Sequence, residues 1–115
     1  MRLSFKALPM TPRLVHITFD HPGPWADEMA RTFEPLASTI GETPGLIWKV
    51  WTEAAASGRA GGTYVFESAA AADAYLAVHL PRLAGFGVVA PRVETLDVNT
   101  ALSVANRGLP SACAR

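Results

Sequence analysis

The side chains best suited to chemistry are His79 and Arg82, three apart in the segment Tyr75-Leu76-Ala77-Val78-His79-Leu80-Pro81-Arg82, and Lys49, which stands between tryptophans in Trp48-Lys49-Val50-Trp51. In a continuous helix a spacing of three puts His79 and Arg82 on the same side. An imidazole, with an ordinary pKa of about 6.5, is the side chain closest to accepting a proton at neutral pH. An arginine beside it could hold a phenolate or a carboxylate. Burial among indoles would lower the proton affinity of Lys49 and make it a base or a clamp for a substrate anion. Each residue has a plainer explanation as well. His79 could simply be hydrogen-bonded near a helix end, and Arg82 could be a solvated residue favouring the helix dipole. Lys49 could pair with Glu53 on the same strand face.

Aromatic side chains are the natural walls for a planar substrate. Trp48, Trp51 and Tyr64 could stack on it with an indole N–H or phenol O–H aimed at a substrate oxygen. Of these, Trp48 and Tyr64 read as pocket residues and Trp51 as an interface residue that could also touch substrate. Tyr75 stands one helical turn before His79 and is a further candidate contact. Asn99 and Asn106 could donate to an oxyanion, although asparagine following a strand or helix is commonly a cap or turn. Serine, histidine and aspartate occur without a nucleophile elbow, so triad hydrolysis is not indicated. His16, His21 and His79 form no ligand pair at helical spacing, and no metal site is expected. Cys113 is the only cysteine. It excludes an intramolecular disulfide and a cysteine zinc site, and reads as a thiol in a frayed tail.

These side chains need a scaffold, and hydrophobic periodicity supplies its outline. Leu14-Val15-His16-Ile17-Thr18-Phe19 reads as a first strand, ended by the turn residues of Asp20-His21-Pro22-Gly23. Pro24 suits the start of a helix, and Met29, Phe33, Leu36, Ala37 and Ile40 recur as one buried stripe to about Thr39, with Pro35 predicting a kink. Leu46 to Glu53 and Gly61 to Phe66 alternate bulky residues with period two and read as adjacent antiparallel strands. Alternation places Trp48 with Leu46, Val50 and Thr52 on one face, and Ile47, Lys49, Trp51 and Glu53 on the other. Ser68 is a plausible N-cap for a second helix whose inward side carries Ala72, Tyr75, Leu76, His79 and Leu83. Pro81 is expected to break or distort that helix. A last strand from about Arg92 to Asn99 and a short turn of helix at Ala101 to Asn106 complete the order βαββαβ. The fold class is therefore α+β, a ferredoxin-like four-stranded antiparallel sheet with two helices on one face. Residues 1–12 read as an N-terminal extension, 13–106 as one domain and 107–115 as a C-terminal tail.

A chain of 115 residues that is 50% hydrophobic and only 17% charged is apolar for a small monomer. An oligomer interface or an apolar cavity would absorb the excess, and a tryptophan on each face of one strand points to a second subunit against the sheet. Ten basic and ten acidic residues cancel without forming a basic patch, so nucleic acid is not an expected partner. No stretch reads as a signal peptide or a membrane span, and a cytoplasmic location is expected.

At these residues the chain resembles the YdhR-like mono-oxygenase family. The carrying segments are Gly23-Pro24, Pro35-Leu36-Ala37, Pro44-Gly45 with Trp48-Lys49-Val50-Trp51-Thr52-Glu53, Gly61-Gly62 with Tyr64 and Phe66, Ala74-Tyr75-Leu76 with His79 and Arg82-Leu83, Asp97-Val98-Asn99, and Leu102-Ser103 with Asn106. The Trp-Lys-Val-Trp-Thr-Glu block is the most specific of them. The resemblance implies a dimeric α+β barrel, in which two ferredoxin-like sheets pack across a twofold axis. It also implies a cofactor-independent mono-oxygenase that uses dioxygen on a small aromatic or polyketide-like molecule. Such an enzyme needs a base, an oxyanion stabiliser and a dry aromatic-walled pocket. His79 and Lys49 are the expected catalytic residues, with Trp48, Trp51, Tyr64, Tyr75, Arg82 and Asn99 as substrate contacts. The competing expectations are a non-catalytic homodimer that binds a small molecule in the same cavity, and a haem-binding or haem-degrading relative using His79.

Overall fold

The computed structural model describes residues 11–114; residues 1–10 of the expected extension and Arg115 lie outside the described residues. The elements are β1 (Arg13–Asp20), α1 (Ala26–Gly41), β2 (Leu46–Ala54), β3 (Arg59–Phe66), α2 (Ala69–Gly85), β4 (Arg92–Asp97) and α3 (Thr100–Ala105). All strand pairs are antiparallel in the spatial order β2-β3-β1-β4, the ferredoxin-like arrangement anticipated from the pattern. The two central strands carry the core. Val15 and Ile17 of β1 and Tyr64 and Phe66 of β3 face the helices and pack with Ile40, Ala72, Tyr75 and Leu83. Gly61 is required where β3 crosses β1, because a Cβ there would run into the Ile17 carbonyl.

The helices are held at their N-termini by different groups. Ser68 accepts the Ala71 N–H at 3.1 Å, the cap expected for α2. For α1 the acceptor comes from the sheet: Glu53 of β2 takes the Ala26 N–H at 2.8 Å. Glu53 is thereby committed to α1, and the ion pair expected with Lys49 does not form. The break expected at Pro81 is also absent, since α2 runs unbroken to Gly85. Proline removes a donor to the Ala77 carbonyl, but Ala77 and Pro81 both lie on the exposed side, where solvent can reach that oxygen. Pro35 is accommodated within α1 in the same way, with Arg31 and Pro35 both exposed.

Strand β2 departs from simple alternation at its start. Leu46 pairs with Phe66 and Trp48 pairs with Val65, so one residue, Ile47, is inserted as a bulge. Leu46 consequently joins the helix-side core, and Ile47 joins Trp48 on the opposite side, the reverse of the alternation reading for both Leu46 and Ile47. From Lys49 onward the alternation holds. On the face away from α1 and α2, Val65, Leu109 and Cys113 form a second buried cluster with Leu14, Ile47, Trp48, Val98 and Val104 against it. The segment read as a tail is thus docked on the sheet, and Cys113 is buried rather than frayed. The rest of that face is open, with Val50 52% and Leu96 49% exposed.

Candidate active site

The register of β2 on β3 sets Lys49 beside Tyr64 and Trp51 beside Gly62, all on the helix side of the sheet. Helix α2 brings His79 down onto them from above. Between sheet and helices lies a cleft of about 160 Å³, with Phe19, Phe33, Trp51, Phe86, Met29 and Leu83 among its apolar walls. Its polar members are few: Lys49, Tyr64, His79 and His21, and among the described residues no carboxylate lines it. A second, shallower groove along α1 shares Met29, Phe33 and Trp51 with the cleft and extends it outward.

Gly62 makes room for the lysine. A Cβ at that position would sit 2.8 Å from Lys49 Cε, so the bare backbone is what lets the side chain lie across β3. The ammonium nitrogen then stands 3.6 Å from the Trp51 ring centroid and 4.6 Å from that of Tyr64. Among the described residues no carboxylate lies within 4.0 Å of Lys49. Burial, with the Arg82 guanidinium as a second cause, lowers its pKa from 10.5 to about 7. The indole face opposes this shift by attracting the charged form, an effect of about 1–2 kcal/mol at a desolvated site.

His79 is 3% exposed and fully engaged. Its Nδ1 lies 2.9 Å from Arg82 Nη2 and 3.2 Å from Nε. A guanidinium can only donate, so Nδ1 must be an acceptor and the neutral ring carries its proton on Nε2. Nε2–H then donates to the Tyr64 hydroxyl oxygen at 3.3 Å. The Tyr75 hydroxyl donates to the same oxygen, also at 3.3 Å. With two donors already on its oxygen, Tyr64 has its own O–H to offer elsewhere. Burial, then the charges of Arg82 and Lys49, lowers the pKa of His79 to about 4, so the ring is neutral at physiological pH. Burial raises the pKa of both tyrosines, which remain phenols.

Lys49, Trp51, Tyr64 and His79 are therefore brought together, with Arg82 directly behind His79. Tyr75 stands behind the same wall, lining a groove on its far side together with Arg82. Two residues expected at the pocket lie elsewhere. Trp48 is on the opposite sheet face, where its indole N–H donates to the Gly108 carbonyl at 3.1 Å. Asn99 caps α3 by accepting the Leu102 N–H at 3.0 Å. Trp51, read first as an interface residue, is a wall of the cleft. Sequence reasoning passed over Gly62, Phe33 and Phe86 as site residues. Phe33 was visible on the α1 stripe, and Phe86, three residues after Leu83, continues the inward stripe of α2 just past the end of the helix.

Fold and cleft together define a ferredoxin-like α+β domain with an apolar, ligand-sized site under its helices. Residues 14–109 match the family described as "Putative mono-oxygenase ydhR", and the chain belongs to that family. Its fold is similar to the crystal structure of NE2512, a protein of unknown function from Nitrosomonas europaea. That likeness has a TM-score of 0.59 at 14% identity and covers 78% of this chain and 91% of the other. No curated protein matches the chain. Among the described residues no helix is long and apolar enough to cross a membrane, and no group of three or more potential metal ligands occurs.

Proposed function

We propose that the protein is a cofactor-independent mono-oxygenase acting with dioxygen on a small aromatic or polyketide-like substrate, and that Lys49 is its general base. The observation that carries this reading is a lysine in an apolar cleft with no carboxylate to keep it charged. His79 has the less suitable geometry for a base, because Arg82 covers one nitrogen and the other carries a proton aimed at Tyr64. The neutral amine of Lys49 takes an acidic C–H or O–H proton from the substrate. The resulting anion passes one electron to dioxygen, the radical pair combines to a peroxide anion, and the Lys49 ammonium returns its proton to give a hydroperoxide. Removal of the second hydrogen on that carbon as the O–O bond breaks places its proton in the departing water and leaves a carbonyl. Tyr64, its oxygen held by His79 and Tyr75, donates to the substrate oxyanion, and Lys49 and Arg82 supply a positive field where charge develops. Trp51 and Phe33 stack on the ring system. The same contacts to both His79 nitrogens disfavour axial ligation of haem by that residue.

Oxygen uptake with an anthrone-type substrate tests the reaction. The rate should climb with pH through about 7, because Lys49 must lose its proton to act. Uptake no faster than the uncatalysed reaction across anthrone and naphthol substrates, or a rate flat between pH 6 and 8 (about one unit either side of that pKa), would overturn it. The open sheet face carrying Val50 and Leu96 is the proposed homodimer surface. Sedimentation at micromolar concentration should give twice the chain mass, and a monomer would remove this part of the reading.

A further inference from the structure

The cleft holds an amine in surroundings that suit it to covalent as well as acid–base chemistry. Lys49 Nζ lies against the faces of Trp51 and Tyr64, has no carboxylate within 4.0 Å among the described residues, and opens onto the cleft walled by Phe19, Phe33 and Phe86. The guanidinium of Arg82, reached from Lys49 through Tyr64 and His79, acts on the amine with a charge of the same sign. An amine so placed is free of the ion pair that ordinarily keeps lysine protonated and inert. Apolar walls that desolvate a lysine are an arrangement that activates it for attack on carbonyl groups.

We infer that Lys49 is a carbonyl-capturing residue, forming a reversible imine with small aromatic aldehydes that enter the cleft. Nζ attacks the carbonyl carbon with its lone pair, and the C–O π pair moves to oxygen. Proton transfer from nitrogen to oxygen gives a carbinolamine. Loss of water, its oxygen protonated from solvent and hydrogen-bonded by the Tyr64 hydroxyl, leaves the iminium, and no oxidant or reductant is consumed. Hydrolysis returns aldehyde and amine. The enclosed part of the cleft has room for one ring, since a cavity of about 150 Å³ is enough to hold benzene, and larger ring systems would reach into the groove along α1. Its apolar, aromatic lining selects for an apolar carbonyl over a sugar. A lowered pKa supports the same conclusion by leaving a large fraction of the amine unprotonated near pH 7. This activity does not depend on the proposed oxygenation, because it requires neither dioxygen nor an acidic substrate.

The sequence makes the test unusually clean, because Lys6 and Lys49 are its lysines. The native protein is incubated with benzaldehyde at pH 7, reduced with cyanoborohydride and digested, and benzylation of each lysine is measured by mass spectrometry. Lys49 should be labelled at least about tenfold faster than Lys6. The preference should vanish in 8 M urea (an ordinary unfolding concentration) if the fold creates it. Lys49→Arg, which keeps the charge without the nucleophile, should lose that label and keep the label on Lys6. Equal labelling of the two lysines, no label on Lys49, or a preference that survives unfolding would each overturn the inference. Oxygen-uptake failure would leave these readouts unchanged, so the two readings fail separately.

Discussion

Replacing Lys49 by methionine should make the protein more stable at pH 7 while lowering oxygen uptake at least about 100-fold, the usual contribution of a general base. Methionine fills the same space with an apolar chain and removes an amine that burial penalises whenever it is charged. The sign follows from the pKa of about 7 in the folded state against 10.5 for an ordinary lysine. Below pH 7 the wild-type lysine is protonated in both states, and the folded protein carries the full penalty. As the pH rises from 7 to 10.5 the unfolded chain binds more protons than the folded one, so wild-type stability climbs and the advantage of the variant shrinks. The lost contact with the Trp51 ring offsets part of the gain. A net stabilisation of about 1–3 kcal/mol below pH 7 is expected. Urea unfolding of both proteins at acidic, neutral and alkaline pH measures it. A variant less stable than wild type at pH 6 (about one unit below that pKa), or a gain that does not fall toward pH 10, would contradict the assigned state of Lys49.

Leu109→Ala should cost about 2–4 kcal/mol, the range for emptying a buried leucine site. A residue in a frayed tail would cost almost nothing. Leu109 is 5% exposed and shares a cluster with Val65 of the central strand β3, so its loss leaves a cavity against the sheet and loosens Cys113. The thiol, buried in the wild type, should then react faster with a disulfide reagent such as Ellman's. An unchanged midpoint in urea with unchanged thiol reactivity would show that this segment contributes no packing. The cleft lies on the other side of the sheet, and benzaldehyde labelling of Lys49 should be unaffected in the folded variant.

Both results bear on how far a sequence of this kind can be read. The strands were legible because β1 and β3 bury one face against helices, which forces clean alternation at Val15, Ile17, Tyr64 and Phe66. The inward side of α2 was legible for the same reason, and with it the placing of Tyr75, His79 and Leu83. Lys49 stood out because a charged residue between tryptophans on a two-sided strand has few places to go. What escaped depends on contacts distant in sequence. Nothing local to Ile47 announces a bulge; it exists because Leu46 pairs with Phe66 while Trp48 pairs with Val65. Glu53 reads as a partner for Lys49 until α1 presents it with an unsatisfied N–H. Residues 107–113 have the small-residue composition of a tail, and only Trp48 and Val65 beneath them give Leu109 and Cys113 something to bury. Asn99 was ambiguous on its face, and the helix it caps resolved it.

Strand β2 carries Lys49 and Trp51 toward the cleft, and Trp48 and Val50 toward the opposite surface. Two selective pressures are therefore interleaved, residue by residue, along one short ribbon. Substitutions at odd positions from Lys49 alter what the protein can recognise and react with. Those at even positions alter the opposite face, where Trp48 holds the Gly108 carbonyl and Val50 is exposed, provided that backbone pairing survives. Descendants of this chain can vary the cleft without disturbing the opposite face, and the reverse, and the two kinds of drift leave separate traces at alternate positions from Trp48 onward.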